Sequence, residues 1–134
     1  MVRIEMQYEG ELHSSARHPS GATLETDAPK DNEGRGEAFS PTDLLATALG
    51  SCILTVMGIV ARRHEWPLKG TTVSVEKHMV ADPTRRIGRL DVQVEFSAGI
   101  PESARRVLER TAHTCPVHNS LHPETKVDIA FHWN

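Results

Sequence analysis

The sequence predicts an α+β fold in which antiparallel sheets wrap around one long central helix. The central helix is indicated by residues 44–61, which include no charged side chain and are therefore expected to be buried on most of their surface. On both sides of this run apolar and polar residues alternate, as they do in half-buried strands. The order strands, long helix, hairpin, helix, strand argues against a parallel βαβ series. With 134 residues, positions 1–134 are expected to form a single domain.

The N-terminal segment predicts three strands. Four apolar residues alternate with charged or polar ones and indicate a half-buried first strand: Val2, Ile4, Met6 and Tyr8. Residues 12–17 and 22–26 are predicted to be further strands around a turn at residues 19–21. The polar residues 27–38 are expected to form a loop that leads into the helix.

The central helix is predicted over residues 40–63, and its ends carry the expected signals. Ser40 is a favourable N-cap, Pro41 suits the first helical position, and Asp43 places a negative charge in the first turn. Arg62 and Arg63 place positive charge in the last turn. Cys52 lies near the middle of the helix, on an apolar face.

The eighteen uncharged residues 44–61 also reach the length of a membrane span. Polar and small residues interrupt the run, and the flanking segments alternate as strands of water-soluble proteins do. We therefore interpret it as a core helix covered by a sheet and by a second subunit. Gly50 and Gly58 would then permit close approach of another backbone.

After the helix, the sequence predicts a long hairpin, an amphipathic helix and a last strand. In the second arm of the hairpin the inward residues are Leu90, Val92, Val94 and Phe96. Pro101 opens the helix, and Cys115-Pro116 interrupts it. The last strand alternates over residues 127–133.

Composition excludes several classes of function. The net charge is only -3 and aromatic residues make up 4%, so neither nucleic acid nor an anionic membrane is an expected partner. The first ten residues include no apolar signal segment, which favours a cytoplasmic protein. In a reducing compartment, two cysteines favour a catalytic or redox pair, a metal site or inert thiols over a structural disulfide.

The two cysteines have different expected environments. Cys115 precedes Pro116 and would lie at a helix N-terminus, where the dipole favours a thiolate. Cys52 lies inside a helix and needs a nearby cation to be reactive. The alternative is that both are inert, buried thiols.

A metal site is a second alternative. The segment TAHTCPVHNSLH offers four soft or imidazole ligands: His113, Cys115, His118 and His122. Pro116 and Pro123 constrain its geometry, however, and no C-x-x-C element is present. The sequence therefore favours a site without a metal.

Residues 41–52, PTDLLATALGSC, followed by residues 115–121, CPVHNSL, resemble the two-cysteine signature of the OsmC/Ohr family. This resemblance implies an OsmC-like fold and an intertwined homodimer, with the long cysteine-bearing helices packed centrally and the N-terminal strands completing the partner's sheet. It also implies thiol-dependent reduction of small organic hydroperoxides, without metal, flavin or other cofactor. By this analogy, Cys52 attacks the hydroperoxide to give a sulfenic acid, Cys115 condenses with it to a disulfide, and an external dithiol restores both thiols.

The resemblance also implies an arginine beside the thiolate, held by a carboxylate near the start of the helix. Arg17 and Asp43 are the candidates. Arg35 is a rival for the first role. Glu37 is a rival for the second, because Thr42 stands where the peroxidase branches have Glu.

An apolar substrate pocket is expected to be lined by Leu49, Val56 and residues of the second subunit. The competing interpretation is a binding module of the same fold that holds a small electrophile or lipid and has no turnover.

Overall fold

The computed structural model describes all residues from 1 to 134. The chain divides into two compact units, residues 1–45 and residues 46–134, and each is described by itself. Helix α1 (Pro41–His64) begins in the first unit and continues into the second. The predicted helix, residues 40–63, is thus confirmed to within one residue at each end.

The first unit is built on an antiparallel sheet of three strands in sequence order: β1 (Glu5–Gly10), β2 (His13–Arg17) and β3 (Thr23–Asp27). The predicted turn at residues 19–21 is confirmed, since the Gly21 N–H donates to the His18 carbonyl at 2.9 Å. Gly21 has φ +95°, a conformation that glycine adopts without steric cost. All three predicted strands are therefore present.

The expected half-burial of the first strand is not observed within the chain. Met6 is 71% exposed and Tyr8 is 64% exposed. An amphipathic sheet needs a second layer to bury its apolar face. The alternating pattern of β1 thus leaves apolar side chains at the surface of this chain.

The loop between β3 and α1 is held in place by hydrogen bonds from backbone N–H groups. The Asp27 N–H donates to the Phe39 carbonyl at 3.0 Å, and the Glu37 N–H donates to Asp27 Oδ2 at 3.1 Å. A single 3-10 turn, Lys30–Asn32, lies within it. These bonds fix the start of α1 relative to the end of β3.

The second unit has a three-stranded sheet ordered β4 (Thr72–Val80), β5 (Arg86–Glu95) and β6 (Lys126–His132). β4 and β5 form the predicted long antiparallel hairpin. β5 and β6 run parallel, with Val92 opposite Ile129, which corrects the expectation of wholly antiparallel sheets. The chain crosses between them through α2 (Arg105–Ala112) and α3 (Pro116–Asn119), so β6 returns in the direction of β5. The α+β class is confirmed.

The core of the second unit lies where α1 and α2 pack on the sheet. The inward residues predicted for β5 are all buried, including Leu90, Val92 and Val94 at 0% exposure. They pack with buried side chains of the two helices: Leu49, Ile53, Met57, Leu108 and Ala112. Burying a side chain of this size contributes about 1.5–3 kcal/mol, so this cluster holds α1 against the sheet.

The two glycines of α1 have different surroundings. A Cβ atom at Gly50 would lie 3.2 Å from Val75 Cγ2 and 3.3 Å from Val73 Cγ1, so Gly50 permits the helix to approach β4 closely. A Cβ atom at Gly58 would have no atom of the chain within 4 Å. The predicted approach of another backbone at Gly58 remains a prediction.

Helix α1 is long and apolar enough to cross a membrane, by length and composition alone. One third of its most apolar window is buried inside the chain, and those residues belong to the core described above. Leu45 and Ile59 on its other side are about 40% exposed. The core of the second unit therefore accounts for one side of the helix only.

Candidate functional site

Cys52 and Cys115 lie together in the second unit. Cys52 is near the middle of α1, Cys115 immediately precedes α3, and their side chains lie close enough for the Cys52 thiol to raise the pKa of Cys115. Both are free thiols; Cys115 is fully buried and Cys52 is partly exposed. Two thiols in contact are the arrangement from which an intramolecular disulfide can form.

The local sequence explains how Cys115 is held. Its extended backbone (φ −62°, ψ 130°) makes it the N-cap of α3, with Pro116 at the first helical position. The His118 N–H donates to Cys115 Sγ at 3.4 Å. The sequence prediction that Cys115 lies at a helix N-terminus is confirmed.

The N–H groups at the start of α3 favour the Cys115 thiolate, as the sequence predicts, but burial of the thiol outweighs them. Burial raises the pKa of the Cys115 thiol, and both the hydrogen bond with Cys52 and its charge raise this pKa further. The N–H groups of His118 and Val117 lower the Cys115 pKa, but by less. A four-residue helix has a small dipole, so desolvation outweighs it and Cys115 is held as a thiol.

Asp43 forms a capping box with Ser40 at the start of α1. The Asp43 N–H donates to Ser40 Oγ at 3.1 Å, and the Ser40 N–H donates to Asp43 Oδ2 at 3.0 Å. This reciprocal pair satisfies two backbone donors that the first turn of a helix leaves without partners. Asp43 therefore has a structural role, and its predicted role beside an arginine stays a prediction.

Arg17 is the last residue of β2, and its side chain is exposed. With Met6 and Leu24 it lines an open depression of about 680 Å³ on the first sheet. Its rival Arg35 lies 3.9 Å from a carboxylate oxygen of Glu11, also at the surface. Both arginines and Asp43 belong to the first unit, whereas the two cysteines belong to the second.

The two predicted pocket residues differ in exposure. Leu49 is at 0% exposure and belongs to the core. Val56 is partly buried and packs against the same core. Within this chain, Leu49 therefore packs α1 onto the core, and Val56 is the more solvent-accessible of the two residues.

The four candidate metal ligands of the segment around Cys115 have separate surroundings. The His113 ring packs edge-on against Phe131, with centroids 6.1 Å apart, and His122 Nδ1 accepts the Glu124 N–H at 3.0 Å. Of the three histidines, only His118 is hydrogen-bonded to Cys115, and it is so through its backbone N–H. The geometry therefore does not assemble these side chains into a metal site.

A different group of possible ligands lies on the first sheet. His13 Nε2 is 3.1 Å from a carboxylate oxygen of Glu25 and 3.6 Å from one of Glu9. Sequence reasoning missed this group because its members come from three strands and meet only through strand register. All three side chains are at least partly exposed, and a hydrogen bond between His13 and Glu25 on neighbouring strands accounts for the geometry.

Comparison with known proteins places this geometry in a family. Residues 34–130 match the model of the OsmC-like protein family. The chain is 44% identical to a candidate osmotic stress induced and detoxification response protein from Psychrobacter arcticus. The TM-score to its crystal structure is 0.92, over 98% of this chain and 96% of that one. Among curated proteins, none matches this chain significantly.

Two more distant structures share the fold. One is the organic hydroperoxide resistance protein OsmC from Legionella pneumophila, with 18% identity and a TM-score of 0.78 over 98% of this chain and 96% of that one. The other is an organic hydroperoxide resistance protein from Elizabethkingia anophelis, with 16% identity and a TM-score of 0.77 over 100% and 96% of the two chains. The family match covers well over half of the sequence, including both cysteines. The chain therefore belongs to the OsmC-like protein family.

Proposed function

We propose that this protein is a thiol-dependent peroxidase that reduces small organic hydroperoxides through Cys52 and Cys115. The contact between the two thiols is the observation that carries the proposal. Membership of the OsmC-like family, with fold relatives named for organic hydroperoxide resistance, supports a peroxide-resistance or redox role. No cofactor is needed for this chemistry.

The proposed cycle has three balanced steps. The Cys52 thiolate attacks the distal oxygen of the hydroperoxide, the O–O bond breaks, and the alkoxide takes a proton to leave as an alcohol, which gives a Cys52 sulfenic acid. The Cys115 sulfur then attacks the Cys52 sulfur and releases water as the disulfide forms. An external dithiol reduces the disulfide and is itself oxidised.

The surroundings of the two thiols suit this order of events. Cys52 is the partly exposed member of the pair, so a substrate can reach it. Cys115 is buried, and its raised pKa keeps it protonated while Cys52 reacts. A buried thiol beside the reacting sulfur is a resolving cysteine rather than a competitor for peroxide.

A cation is proposed to stabilise the Cys52 thiolate and the departing alkoxide. Arg17, oriented by Asp43, is assigned this role, with Arg35 and Glu37 as the alternatives. Val56 is proposed to line the apolar part of the substrate pocket, together with Leu49 if that residue becomes accessible. These assignments rest on the resemblance to the family.

We further propose that the chain acts as a homodimer of single-domain subunits. Apolar side chains on two elements are exposed in the isolated chain: Met6 and Tyr8 on β1, and Leu45 and Ile59 on α1. Exposed apolar groups on this scale favour burial against a partner. An OsmC-like fold is compatible with a cytoplasmic location.

The function is tested by steady-state consumption of cumene hydroperoxide with a dithiol as reductant. The wild-type protein should consume the hydroperoxide, Cys52→Ser should not, and Ser51→Ala, a change at an exposed neighbour on α1, should behave as the wild type. The absence of any Cys52-dependent loss of cumene hydroperoxide would reject the proposal. The non-catalytic binding module would then be the better interpretation.

A further inference from the structure

Two buried side-chain nitrogens in the protein have no hydrogen-bond partner, Arg105 Nε and His118 Nδ1. Buried polar atoms are nearly always paired, so each exception calls for an explanation. The Arg105 guanidinium lies 5.2 Å from the centroid of the Trp133 ring, a cation–π contact that compensates for part of its burial. His118 Nδ1 has no comparable contact.

His118 lies beside the proposed resolving cysteine. Its backbone N–H donates to Cys115 Sγ at 3.4 Å, so the side chain of His118 starts next to the sulfur. The two other histidines near Cys115 in the sequence have other partners. The His113 ring packs against Phe131, and His122 accepts a hydrogen bond from the Glu124 N–H. The titratable side chain that interacts with Cys115 is Cys52 from α1, whereas His118 contacts the sulfur through its backbone N–H.

Disulfide formation needs a proton acceptor at this position. The nucleophile in the exchange is a thiolate, whereas burial holds Cys115 in the thiol form. The backbone groups that contact Sγ are N–H donors and cannot take a proton. With its ring proton on Nε2, an imidazole offers Nδ1 as an acceptor. Nδ1 forms no hydrogen bond with Cys115 Sγ in the reduced protein, so the ring has to turn toward the sulfur as the disulfide closes.

We propose that His118 is the general base that accepts the Cys115 proton as the Cys52–Cys115 disulfide closes. The Cys115 sulfur attacks the Cys52 sulfur, His118 takes the thiol proton, and the group on the Cys52 sulfur leaves with the electron pair of its bond. When that group is the hydroxyl of a sulfenic acid, hydroxide takes a proton and leaves as water. The inference deepens the proposed function, but it requires only that Cys115 attacks a leaving group carried by Cys52.

The test uses 4,4′-dithiodipyridine, a small disulfide that releases a chromophoric thione. Its reaction with Cys52 releases one thione and leaves a mixed disulfide, and attack by Cys115 releases the second. Stopped-flow absorbance across a range of pH resolves the two phases for the reduced wild type, His118→Asn, His118→Ala and the matched control His122→Asn. The first phase in each trace reports whether the variant has kept the structure around Cys52.

Removing a general base lowers a rate by about 10²-fold or more. We expect this loss in the second phase for both His118 variants near neutral pH, with an unchanged first phase and wild-type kinetics for His122→Asn. Asn provides a hydrogen-bond acceptor but no basic nitrogen, so rescue by His118→Asn would show that His118 only supports the structure and would overturn the proposal. In the two His118 variants the rate of the second phase should rise tenfold per pH unit, because it should then depend only on the fraction of Cys115 present as thiolate.

Three other outcomes also contradict the inference: release of fewer than two thiones by the wild type, a second phase independent of His118, and equal pH profiles for all proteins.

This experiment and the peroxidase assay test different proposals. A protein that consumes no hydroperoxide but shows the His118-dependent second phase would refute the proposed function and keep the general base. A peroxidase whose second phase does not depend on His118 would refute the general base alone.

Discussion

The Cys115 side chain, at the N-cap of α3, lies close enough to the Cys52 side chain in the middle of α1 for the Cys52 thiol to raise the pKa of Cys115. One partner is fully buried and the other is partly exposed. This difference in exposure agrees with the proposed roles: the accessible Cys52 sulfur reacts with the hydroperoxide, and the buried Cys115 sulfur forms the disulfide.

Replacing Cys115 by Ser should trap the sulfenic acid on Cys52. Serine has no thiol to condense with it, so the variant should react with one equivalent of hydroperoxide and accumulate the oxidised form. Mass spectrometry after dimedone labelling measures the adduct. The double variant that also has Cys52→Ser should carry none; an adduct there, or none in Cys115→Ser, would contradict the assigned roles.

The stability of the reduced protein should fall at alkaline pH because of Cys115. Its pKa in the folded protein is raised above the ordinary value of 9.0, so the folded state holds this proton more tightly than the unfolded chain does. The resulting stabilisation is present below pH 9.0 and is lost as the pH rises through the folded pKa.

Urea unfolding under reducing conditions, from about pH 8 to about pH 10, measures this effect. The free energy of unfolding should decrease more for the wild type than for Cys115→Ser, which does not titrate in this range. Parallel pH dependences in the two proteins would show that the thiol is not held in the protonated form by the fold.

Asp43→Asn separates the capping role of Asp43 from its proposed role beside Arg17. An asparagine can still accept the Ser40 N–H, so we expect a loss below about 1 kcal/mol in the free energy of unfolding. Without its charge the side chain should no longer orient the arginine, and the rate of cumene hydroperoxide consumption should fall about 10- to 100-fold.

The matched control is Ser40→Ala, which removes the other half of the capping box. It should cost about 1 kcal/mol of stability and leave the peroxidase rate unchanged at temperatures where the variant is folded. If both variants lose activity in proportion to stability, Asp43 acts only as a cap.

The two glycines of α1 should respond differently to alanine. Gly58→Ala should raise the free energy of unfolding by about 1 kcal/mol, because a helix favours alanine and no atom of the chain lies near the new methyl group. Gly50→Ala should lose most of this gain, since its Cβ would press against Val73 and Val75. Thermal unfolding and sedimentation velocity check both. Destabilisation or dimer dissociation in Gly58→Ala would instead show that a partner's backbone packs there, as the sequence first suggested.

Elements with a clear local pattern could be predicted from the sequence. The uncharged run and its terminal signals define α1, and strict alternation defines β5 with Leu90, Val92 and Val94 facing inward. Local periodicity does not specify the partners of a strand, so the parallel pairing of β5 with β6 was missed. The exposure of Met6 and Tyr8 could not be predicted either, because alternation shows which face is apolar but not what covers it.

The site was predictable to a similar extent. Because Cys115 directly precedes Pro116, the sequence correctly placed it at the start of a helix. The pKa of Cys115, however, depends on its burial, and only the packing of α3 beside α1 determines that burial. The Ser40-x-x-Asp43 signature could have revealed the capping box from sequence. The sequence could not predict that His118 Nδ1 is buried without a hydrogen-bond partner, because this depends on which groups surround it in the folded protein.

In the proposed reaction, one chain converts a hydroperoxide into an alcohol by joining its own two cysteines. The most direct measurement is to treat the reduced protein with one equivalent of cumene hydroperoxide, without reductant, and to map its peptides by mass spectrometry under non-reducing conditions. We expect a linked peptide pair that joins Cys52 to Cys115 within a single chain, with one alcohol formed for each disulfide. Two free thiols after the treatment, or a disulfide only between chains, would contradict it.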